Sequence, residues 1–238
     1  IGKERAILDR LSRTDGVFIS DETRISSRGM LGWIVADEEE TTEMFSGLER
    51  GQQNTEKITE IIKKRAIVFP SGTEVEDGEI EDTNTPLLIS KLTEAGFTAE
   101  AGPVLKDDLD LFAGKLRRAM DGGYGVLITT GGVGAENKDF SVEAILRLDP
   151  AAAAPYIAKF KVGEGRHRKE GIRIAVGQVG FTTLVALPGP NDEVALCSDC
   201  LIEGITKGWS KEVLAGRLAK LLRARLTEKM AGHHGHGN

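Results

Sequence analysis

The sequence is poor in cysteine, in aromatic residues and in long apolar runs. Its 238 residues include two cysteines, Cys197 and Cys200, and only 5% aromatic residues. Two thiols in a chain of this length fit a reducing compartment, so we expect a cytoplasmic protein whose core needs no disulfide. No run of 18 apolar residues occurs and no apolar segment follows a charged start, so we expect neither a transmembrane helix nor a signal peptide.

An excess of basic charge is also lacking. The formal net charge is −6 and the pI is about 5.4. Broad nucleic-acid binding usually needs a basic surface, so we expect neither a nucleic-acid nor a membrane partner. The two cysteines have C-x-x-C spacing, which occurs in redox pairs and in half of a zinc site. No second C-x-x-C exists to complete four zinc ligands, so ordinary helix residues are the favoured interpretation.

Glycine is abundant, with 29 residues in the chain. A typical protein has about 7% glycine, and the excess here shows no three-residue period that would indicate collagen. The composition therefore predicts many tight turns and loops in which the backbone itself lines a site.

Residues 1–64 differ from the rest and carry no recognisable chemistry. Apolar spacing predicts a helix over 3–13. Two short apolar runs at 17–20 and 30–36 favour a hairpin, and 37–64 is expected to be mostly helical. We interpret this part as an accessory segment or an oligomerisation arm.

From residue 65 onward, strand and helix patterns alternate. The predicted strands are 66–69, 97–104 and 126–130, and the predicted helices are 85–95, 108–120 and 140–148. This alternation predicts an α/β fold of three α/β/α layers around a mostly parallel sheet. Ligands of such sheets bind at the carboxyl ends of the strands.

The remainder of the chain predicts a sheet-edge hairpin followed by helices. Segment 149–171 looks irregular, the apolar runs 172–176 and 183–187 favour the hairpin, and helices are predicted over 192–205 and 210–230. The resulting domain hypothesis is an accessory segment at 1–64, an α/β domain at 65–208, a basic amphipathic C-terminal helix at 209–230, and a disordered, histidine-containing tail at 231–238. The basic face of the last helix is expected to be solvated, with an anionic partner as the alternative.

The first loop that could carry chemistry spans 71–84 and is rich in acidic residues. Asp82 and Asn84 stand at its end, just before a helix. Such a loop could hold Mg²⁺ or accept hydrogen bonds from a polar ligand. The competing interpretation is a solvated loop in which Asp82 caps the helix.

The second loop follows the strand 126–130 directly. Thr130, Gly131, Gly132 and Gly134 would let backbone N–H groups approach an anion, and a phosphate is the natural guest. The spacing fits neither a P-loop nor the Rossmann glycine pattern. The alternative is a plain glycine turn in which Asp139 caps the next helix.

A third loop and an acidic pair complete the candidate site. Leu187-Pro188-Gly189-Pro190 forms a rigid turn after the strand 183–187. Of Asp107 and Asp108, one is expected to cap a helix and the other to face the cleft of Asp139. Two carboxylates at one cleft can share a divalent ion and orient a triphosphate.

Four motifs in order resemble the molybdopterin-binding domain family, which includes MoaB/Mog-like and CinA-like proteins. They are G-T-E-V-E-D-G-E-I-E-D-T-N at 72–84, V-L-K-D-D at 104–108, T-T-G-G-V-G-A-E-N-K-D at 129–139 and L-P-G-P at 187–190. The resemblance covers about residues 65–204. The sequence departs from the family pattern at several positions, among them Val133 and Asn191.

The resemblance implies a function. Thr130, Gly131, Gly132, Gly134, Asp82, Asn84, Pro188 and Gly189 would bind molybdopterin. Asp107 and Asp139 would be the catalytic and Mg²⁺-binding residues of adenylyl transfer from ATP. The family also implies a homo-oligomer, often a trimer.

Two other functions remain open at this point. The altered glycine loop and the N-terminal segment favour a module that binds or senses molybdopterin without turnover. The Asp82-Thr83-Asn84 run favours a CinA-like hydrolase of nucleotide pyrophosphates, for which ADP-ribose is a test substrate.

Overall fold

The structure is a computed structural model. It describes residues 4–14, 16–17, 19–20, 23, 58–72, 80–134, 136, 139–159 and 169–234. The chain forms two compact units, 1–60 and 61–238. In the first unit, helix α1 spans Glu4–Leu11 and confirms the helix predicted at the start of the chain. The apolar run 30–36 of the predicted hairpin, and most of the helix predicted over 37–64, lie outside the described residues. Residues 58–63 are helical.

The second unit contains the alternating elements that the sequence predicts. The strands are β1 (Arg65–Pro70), β2 (Thr98–Ala101), β3 (Val126–Thr130), β4 (Tyr156–Lys159), β5 (Gly171–Arg173), β6 (Ala175–Val179) and β7 (Thr182–Leu187). The helices are α2 (Asn84–Glu94), α3 (Leu109–Asp121), α4 (Ser141–Leu148), α5 (Asn191–Thr206) and α6 (Lys211–His234). Residues 235–238 of the predicted tail lie outside the described part.

The central sheet has five strands in the order β2-β1-β3-β7-β6. β1, β2, β3 and β7 run parallel, and β6 pairs antiparallel with β7 at the edge. This mostly parallel sheet with flanking helices confirms the predicted fold class.

One prediction about strands was wrong. Segment 149–171 was expected to be irregular, but β4 lies within it and pairs antiparallel with β5 in a separate two-stranded sheet. The apolar run predicted as one strand over 172–176 is divided at Ile174, so that β5 joins β4 while β6 joins the central sheet.

The central strands β1, β3 and β7 are buried on both faces, which explains why they are nearly continuous apolar runs. Ala66, Val68 and Ile128 pack on the side of α2, α5 and α6. Ile67 and Leu127 point to the opposite side and pack with α3 and α4. Alternate residues of each strand therefore belong to two separate cores, as a three-layer domain requires.

The basic face of α6 is engaged by the chain's own groups. Arg217 lies over the Trp209 ring at 4.0 Å, and Arg223 donates to the Tyr156 carbonyl. Arg225 and Lys229 pair with Asp192 at the start of α5. These contacts anchor α6 on the α/β domain and use cations that an anionic partner would need.

Among the described residues, no helix combines the length and apolarity that crossing a bilayer requires.

Close packing of α5 against α6 predicts opposite effects for two glycines. A Cβ at Gly204 would lie 2.7 Å from Leu214 Cδ1 and from Trp209 Cε3, whereas a Cβ at Gly216 would meet nothing within 4 Å. We expect Gly204→Ala to lower the free energy of unfolding by about 1–2 kcal/mol through overpacking. Gly216→Ala should raise it by about 0.5–1 kcal/mol through helix propensity. Urea unfolding of both variants tests this, and equal effects of the same sign would contradict the packing.

Candidate functional site

Strand register brings the three candidate loops to one edge of the sheet. Pro70 at the end of β1 is opposite Thr130 at the end of β3, and Thr130 is opposite Leu187 at the end of β7. Asp107 follows β2, whose exit is joined to β1 by a parallel bridge between Ser71 and Leu105. All four exits therefore line the carboxyl edge, where parallel sheets bind their ligands.

The glycine loop turns sharply as β3 ends. The Gly131 N–H donates to the Leu187 carbonyl at 3.1 Å, which continues the strand ladder by one residue. Gly131 and Gly132 then have φ of +87° and +63°. Two consecutive left-handed residues are readily accommodated only by glycine, so both glycines are required by the turn itself.

Two serine hydroxyls hold this turn in place. Ser71 Oγ donates to the Thr130 carbonyl at 3.0 Å, and Ser141 Oγ donates to the Gly131 carbonyl at 2.7 Å. Sequence reasoning missed both serines. Their available signal was position, since Ser71 directly follows the buried strand β1 and Ser141 is the first residue of α4.

The backbone amides of the loop are candidate donors to an anion. Within the described part of the chain, no acceptor is found for the backbone N–H groups of Gly132, Val133 and Gly134. Successive unpaired N–H groups in a turn form a concave anion site, for which phosphate is the usual guest. The phosphate-binding interpretation of this loop therefore has a structural basis beyond its composition.

Asp139 is bound into the same loop. Its Oδ2 accepts from the Glu136 N–H at 2.7 Å, and its carbonyl accepts from Lys169 Nζ. The N-cap position of α4 is occupied by Phe140, which makes no capping side-chain bond. The Asp139 carboxylate thus helps to shape the glycine loop, in addition to any role toward a metal.

Asp82 and Asn84 have different structural roles. Asp82 Oδ1 accepts from the N–H groups of Asn84 and Thr85, both at 3.1 Å, so it caps the start of α2. Asn84 Nδ2 donates to the Gly189 carbonyl at 2.6 Å, and Asn84 Oδ1 accepts from Asn191 Nδ2 at 3.0 Å. Asn84 therefore ties the first loop to the third, an interaction that only the folded chain reveals.

The third loop also touches the glycine loop. A Cβ on Gly189 would lie 3.7 Å from Gly131 Cα. Pro188 and Gly189 follow β7 directly. The structure thus brings together Asn84, Thr130, Gly131, Gly132, Pro188 and Gly189.

The acidic pair after β2 divides into a cap and a candidate ligand. Asp108 Oδ1 accepts from the Leu111 N–H at 2.9 Å and caps α3, and the neighbouring Asp107 is half-buried. Among the described residues, no group of three or more acidic, histidine or cysteine side chains could hold a metal ion. Mg²⁺ commonly uses one or two carboxylates plus substrate phosphates, so Asp107 and Asp139 fit that ion only together with a phosphate ligand.

Two buried hydroxyls at this edge are unsatisfied. Thr85 Oγ1 and Thr129 Oγ1 are buried and find no hydrogen-bond partner among the residues that the structure describes. Leaving a buried polar group unpaired costs about 1–3 kcal/mol. The described residues thus leave hydrogen-bonding capacity at the carboxyl edge unused.

The cysteine pair lies outside this edge. Cys197 and Cys200 are both on α5 and are free thiols. Burial raises the pKa of Cys197 to about 12, so this thiol stays protonated. A protonated, buried thiol is neither a redox nucleophile nor a metal ligand, which supports the interpretation as ordinary helix residues.

Comparison with known proteins decides the family. A sequence model of the family described as "Probable molybdopterin binding domain" matches residues 67–207. The chain belongs to this molybdopterin-binding domain family. The match contains the glycine loop, Asn84, Asp107, Asp139 and Gly189, so the predicted site lies wholly within the family domain.

Relatives of the family domain include several CinA-like proteins. The chain is 37% identical over 83 residues to a CinA-like protein of Thermomicrobium roseum, which covers 35% of this chain and 20% of the relative. It is 30% identical over 125 residues to one of Leptospira borgpetersenii, which covers 48% of this chain and 30% of the relative. The chain thus spans less than a third of the length of these relatives.

A solved structure supports the fold of the family domain. The molybdopterin biosynthesis Mog protein of Mycobacterium ulcerans superimposes with a TM-score of 0.50 and 22% identity, over 64% of this chain and 99% of that one. At this identity the likeness concerns the fold alone.

Proposed function

We propose that the chain binds molybdopterin at the carboxyl edge and transfers an adenylyl group from MgATP to its phosphate. The observation that carries this proposal is the row of amides at Gly132, Val133 and Gly134, for which the described residues provide no acceptor, within a domain of this family. The amides would receive the phosphate of the pterin, and the Asn84–Gly189 contact would fix the wall of the pterin pocket.

The reaction needs positioning more than covalent chemistry. A phosphate oxygen of the pterin attacks the α-phosphorus of ATP, the bond to the β-phosphate breaks, and pyrophosphate leaves. Such transfers depend on alignment and charge stabilisation rather than on a protein nucleophile. Mg²⁺, when bound, supplies positive charge to the leaving pyrophosphate. Asp107 and Asp139 would hold it there, since each follows a strand that ends at this edge.

Asparagine substitutions test this proposal more sharply than alanine. Asp139→Asn keeps an oxygen that can accept from Glu136 N–H, so the glycine loop stays closed while the charge is lost. We expect Asp139→Asn and Asp107→Asn each to lower pyrophosphate release by about tenfold or more, because a metal ligand loses its charge. Asp110→Asn is the matched control, because Asp110 is an exposed carboxylate of α3 that pairs with Arg147 of α4. This substitution should change pyrophosphate release less than twofold.

The measurement is calorimetric titration with MgATP, with and without molybdopterin, followed by a pyrophosphate assay. Adenylyl transfer requires that both ligands bind and that pyrophosphate is released. Binding of molybdopterin without ATP binding or turnover would replace this proposal with a non-catalytic binding or sensing module. If neither MgATP nor molybdopterin bound, both the adenylyl-transfer proposal and the binding-module alternative would be excluded.

A pyrophosphate hydrolase is a second candidate because the relatives at 30–37% identity are CinA-like proteins. The same loop amides could hold one phosphate of a nucleotide pyrophosphate. Release of a nucleoside monophosphate from ADP-ribose in the presence of Mg²⁺ would favour this candidate over adenylyl transfer, and no release with any of several divalent metals would exclude it.

A further inference from the structure

Three charged side chains form a cluster beside the glycine loop. Glu143 of α4 faces Lys169 and Arg173, and the two cations contact the same oxygen, Oε1, at 3.0 and 3.4 Å. The side chains of Lys169, Glu143 and Arg173 are 23%, 26% and 27% exposed. One partly buried carboxylate is therefore shared by two partly buried cations.

The charges in this cluster do not balance. Glu143 Oε2 is buried and finds no hydrogen-bond partner in the described part of the chain, so the second carboxylate oxygen does not pair with either cation. These three side chains alone carry a net positive charge of one, which the nearby carboxylates of Asp139, beside Gly134, and Glu170, bonded to Tyr156, reduce. The partial burial of all three groups strengthens their interaction with an approaching anion.

Neighbouring groups hold the cations in fixed positions. Lys169 Nζ also donates to the Asp139 carbonyl and lies 5.7 Å from the centre of the Phe140 ring. Arg173 lies 5.8 Å from the centre of the Tyr156 ring, whose hydroxyl donates to Glu170. A cation that is already ordered loses less entropy on binding a ligand.

The cluster and the glycine loop border the same surface depression. Its lining includes Val133 and Gly134 of the glycine loop together with Glu143, Lys169 and Arg173. Two residues of the glycine loop thus border the same depression as the two cations. An anion held by the amides would have these cations next to it.

We propose that Lys169 and Arg173 form a second anion subsite, adjoining the glycine loop, that takes the second phosphate of a ligand containing a diphosphate. The planar guanidinium of Arg173 suits two phosphate oxygens, and Lys169 adds a point charge. Glu143 is a positioning residue that holds the two cations in place. The inference rests on the proposed phosphate site of the loop and extends it to the ligand class.

The test uses inorganic pyrophosphate and inorganic phosphate as probes of the full chain, titrated calorimetrically at low ionic strength. We expect pyrophosphate to bind more tightly than phosphate, and Arg173→Gln to weaken pyrophosphate binding by about tenfold. Arg147→Gln is the matched control. Arg147 is on α4, like Glu143, and pairs with exposed Asp110, so its loss should change pyrophosphate affinity less than twofold.

A substitution of Glu143 separates a ligand site from a structural ion pair. Glu143→Gln keeps an oxygen that can accept from Lys169 and Arg173 but removes the competing negative charge, so pyrophosphate affinity should rise several-fold even if the melting temperature falls. If the cluster served only to join α4 to β5, Glu143→Gln would lower stability without raising that affinity, and the inference would be overturned.

The outcomes distinguish this inference from the proposed function. Absence of pyrophosphate binding by the wild type, or unchanged binding by folded Arg173→Gln, overturns the subsite. Pyrophosphate binding that depends on Arg173, in a protein that binds no molybdopterin, supports the subsite and overturns the proposed function.

Discussion

Replacing Asp149 with alanine is expected to lower the free energy of unfolding by about 3 kcal/mol. The Asp149 side chain is 9% exposed and pairs with Lys211 Nζ at 2.8 Å, where the Lys211 side chain is 19% exposed. Its carboxylate also accepts from the N–H of Gln178 at 2.8 Å and from that of Ala151 at 3.0 Å. Alanine would leave a largely buried ammonium group and two amides without their acceptor.

This residue connects three parts of the domain. Asp149 follows α4, Gln178 is on the edge strand β6, and Lys211 begins α6. Removing the Asp149 side chain should therefore destabilise the whole unit 61–238 in its cooperative unfolding, rather than one loop. The matched control is Asp199→Ala, which removes an 83% exposed carboxylate paired with Lys91 and should change stability by about 0–1 kcal/mol.

The contribution of Asp149 is expected to depend on pH. Burial raises the pKa of Asp149, but the ion pair with Lys211 and the two amide donors outweigh it and hold the pKa below its usual value of 3.8. A carboxyl with a lowered pKa stabilises the fold above its unfolded pKa and loses that effect as the pH falls through its folded pKa. The stability difference between wild type and Asp149→Asn should thus be full at pH 7 and shrink below pH 3.8.

Urea unfolding at pH 7 and across the acid range measures both effects. A loss at Asp149→Ala no larger than that of Asp199→Ala would contradict the buried pairing. A difference between wild type and Asp149→Asn that stays constant down to the lowest pH would contradict the lowered pKa.

An alanine at Gly132 is expected to weaken molybdopterin binding by about 100-fold or more, equivalent to about 2.8 kcal/mol. Gly132 has φ of +63°, where a residue with a Cβ is strained by about 1–2 kcal/mol. Its new Cβ would also lie 2.7 Å from Ser141 Oγ and 3.1 Å from Ser71 Oγ. Both hydroxyls would have to move, and with them the bonds that shape the loop.

Binding is expected to weaken because Ser71 and Ser141 hold the backbone of the glycine loop in place. Ser71 and Ser141 donate to the carbonyls of Thr130 and Gly131, so their displacement re-aims the amides of the next residues. An anion site built from backbone N–H groups depends on their direction, because these groups cannot adjust as side chains do.

Gly180→Ala separates this effect from general strain. Gly180 has φ of +57° in the turn between β6 and β7, and a Cβ there would meet nothing within 4 Å. The Gly180→Ala variant should have a free energy of unfolding lowered by a similar backbone strain of about 1–2 kcal/mol, while its affinity for molybdopterin stays at the wild-type value. Calorimetric titration of both variants decides the matter. Equal affinities would show that the glycine loop does not bind the ligand.

The sequence was informative wherever local chemistry and topology agreed. The apolar runs ending at Pro70, Thr130 and Leu187 were each followed by a loop with polar or glycine residues, and parallel strands must end at the same edge. The edge assembly of Asn84, Gly131, Gly132 and Gly189 could therefore be predicted without coordinates.

The sequence was less informative where contacts join distant positions. Ser71 and Gly131 are adjacent only through the pairing of β1 with β3, and Asp149 meets Lys211 across 62 residues. The strand β4 was missed because its partner β5 lies beyond residues 160–168, and a short two-stranded ribbon has no strong apolar pattern.

The sequence by itself determined the class of fold, the edge at which the candidate loops meet and the family, because hydrophobic periodicity and glycine placement are local properties. Tertiary structure decided the roles of the polar residues. It made Asp82 and Asp108 helix caps, bound Asp139 into the glycine loop, made Asn84 the link between two loops, and placed Lys169 and Arg173 beside that loop. A carboxylate or an amide has the same formula in each of these roles, and only its neighbours in space determine whether it caps a helix, shapes a loop or meets a ligand.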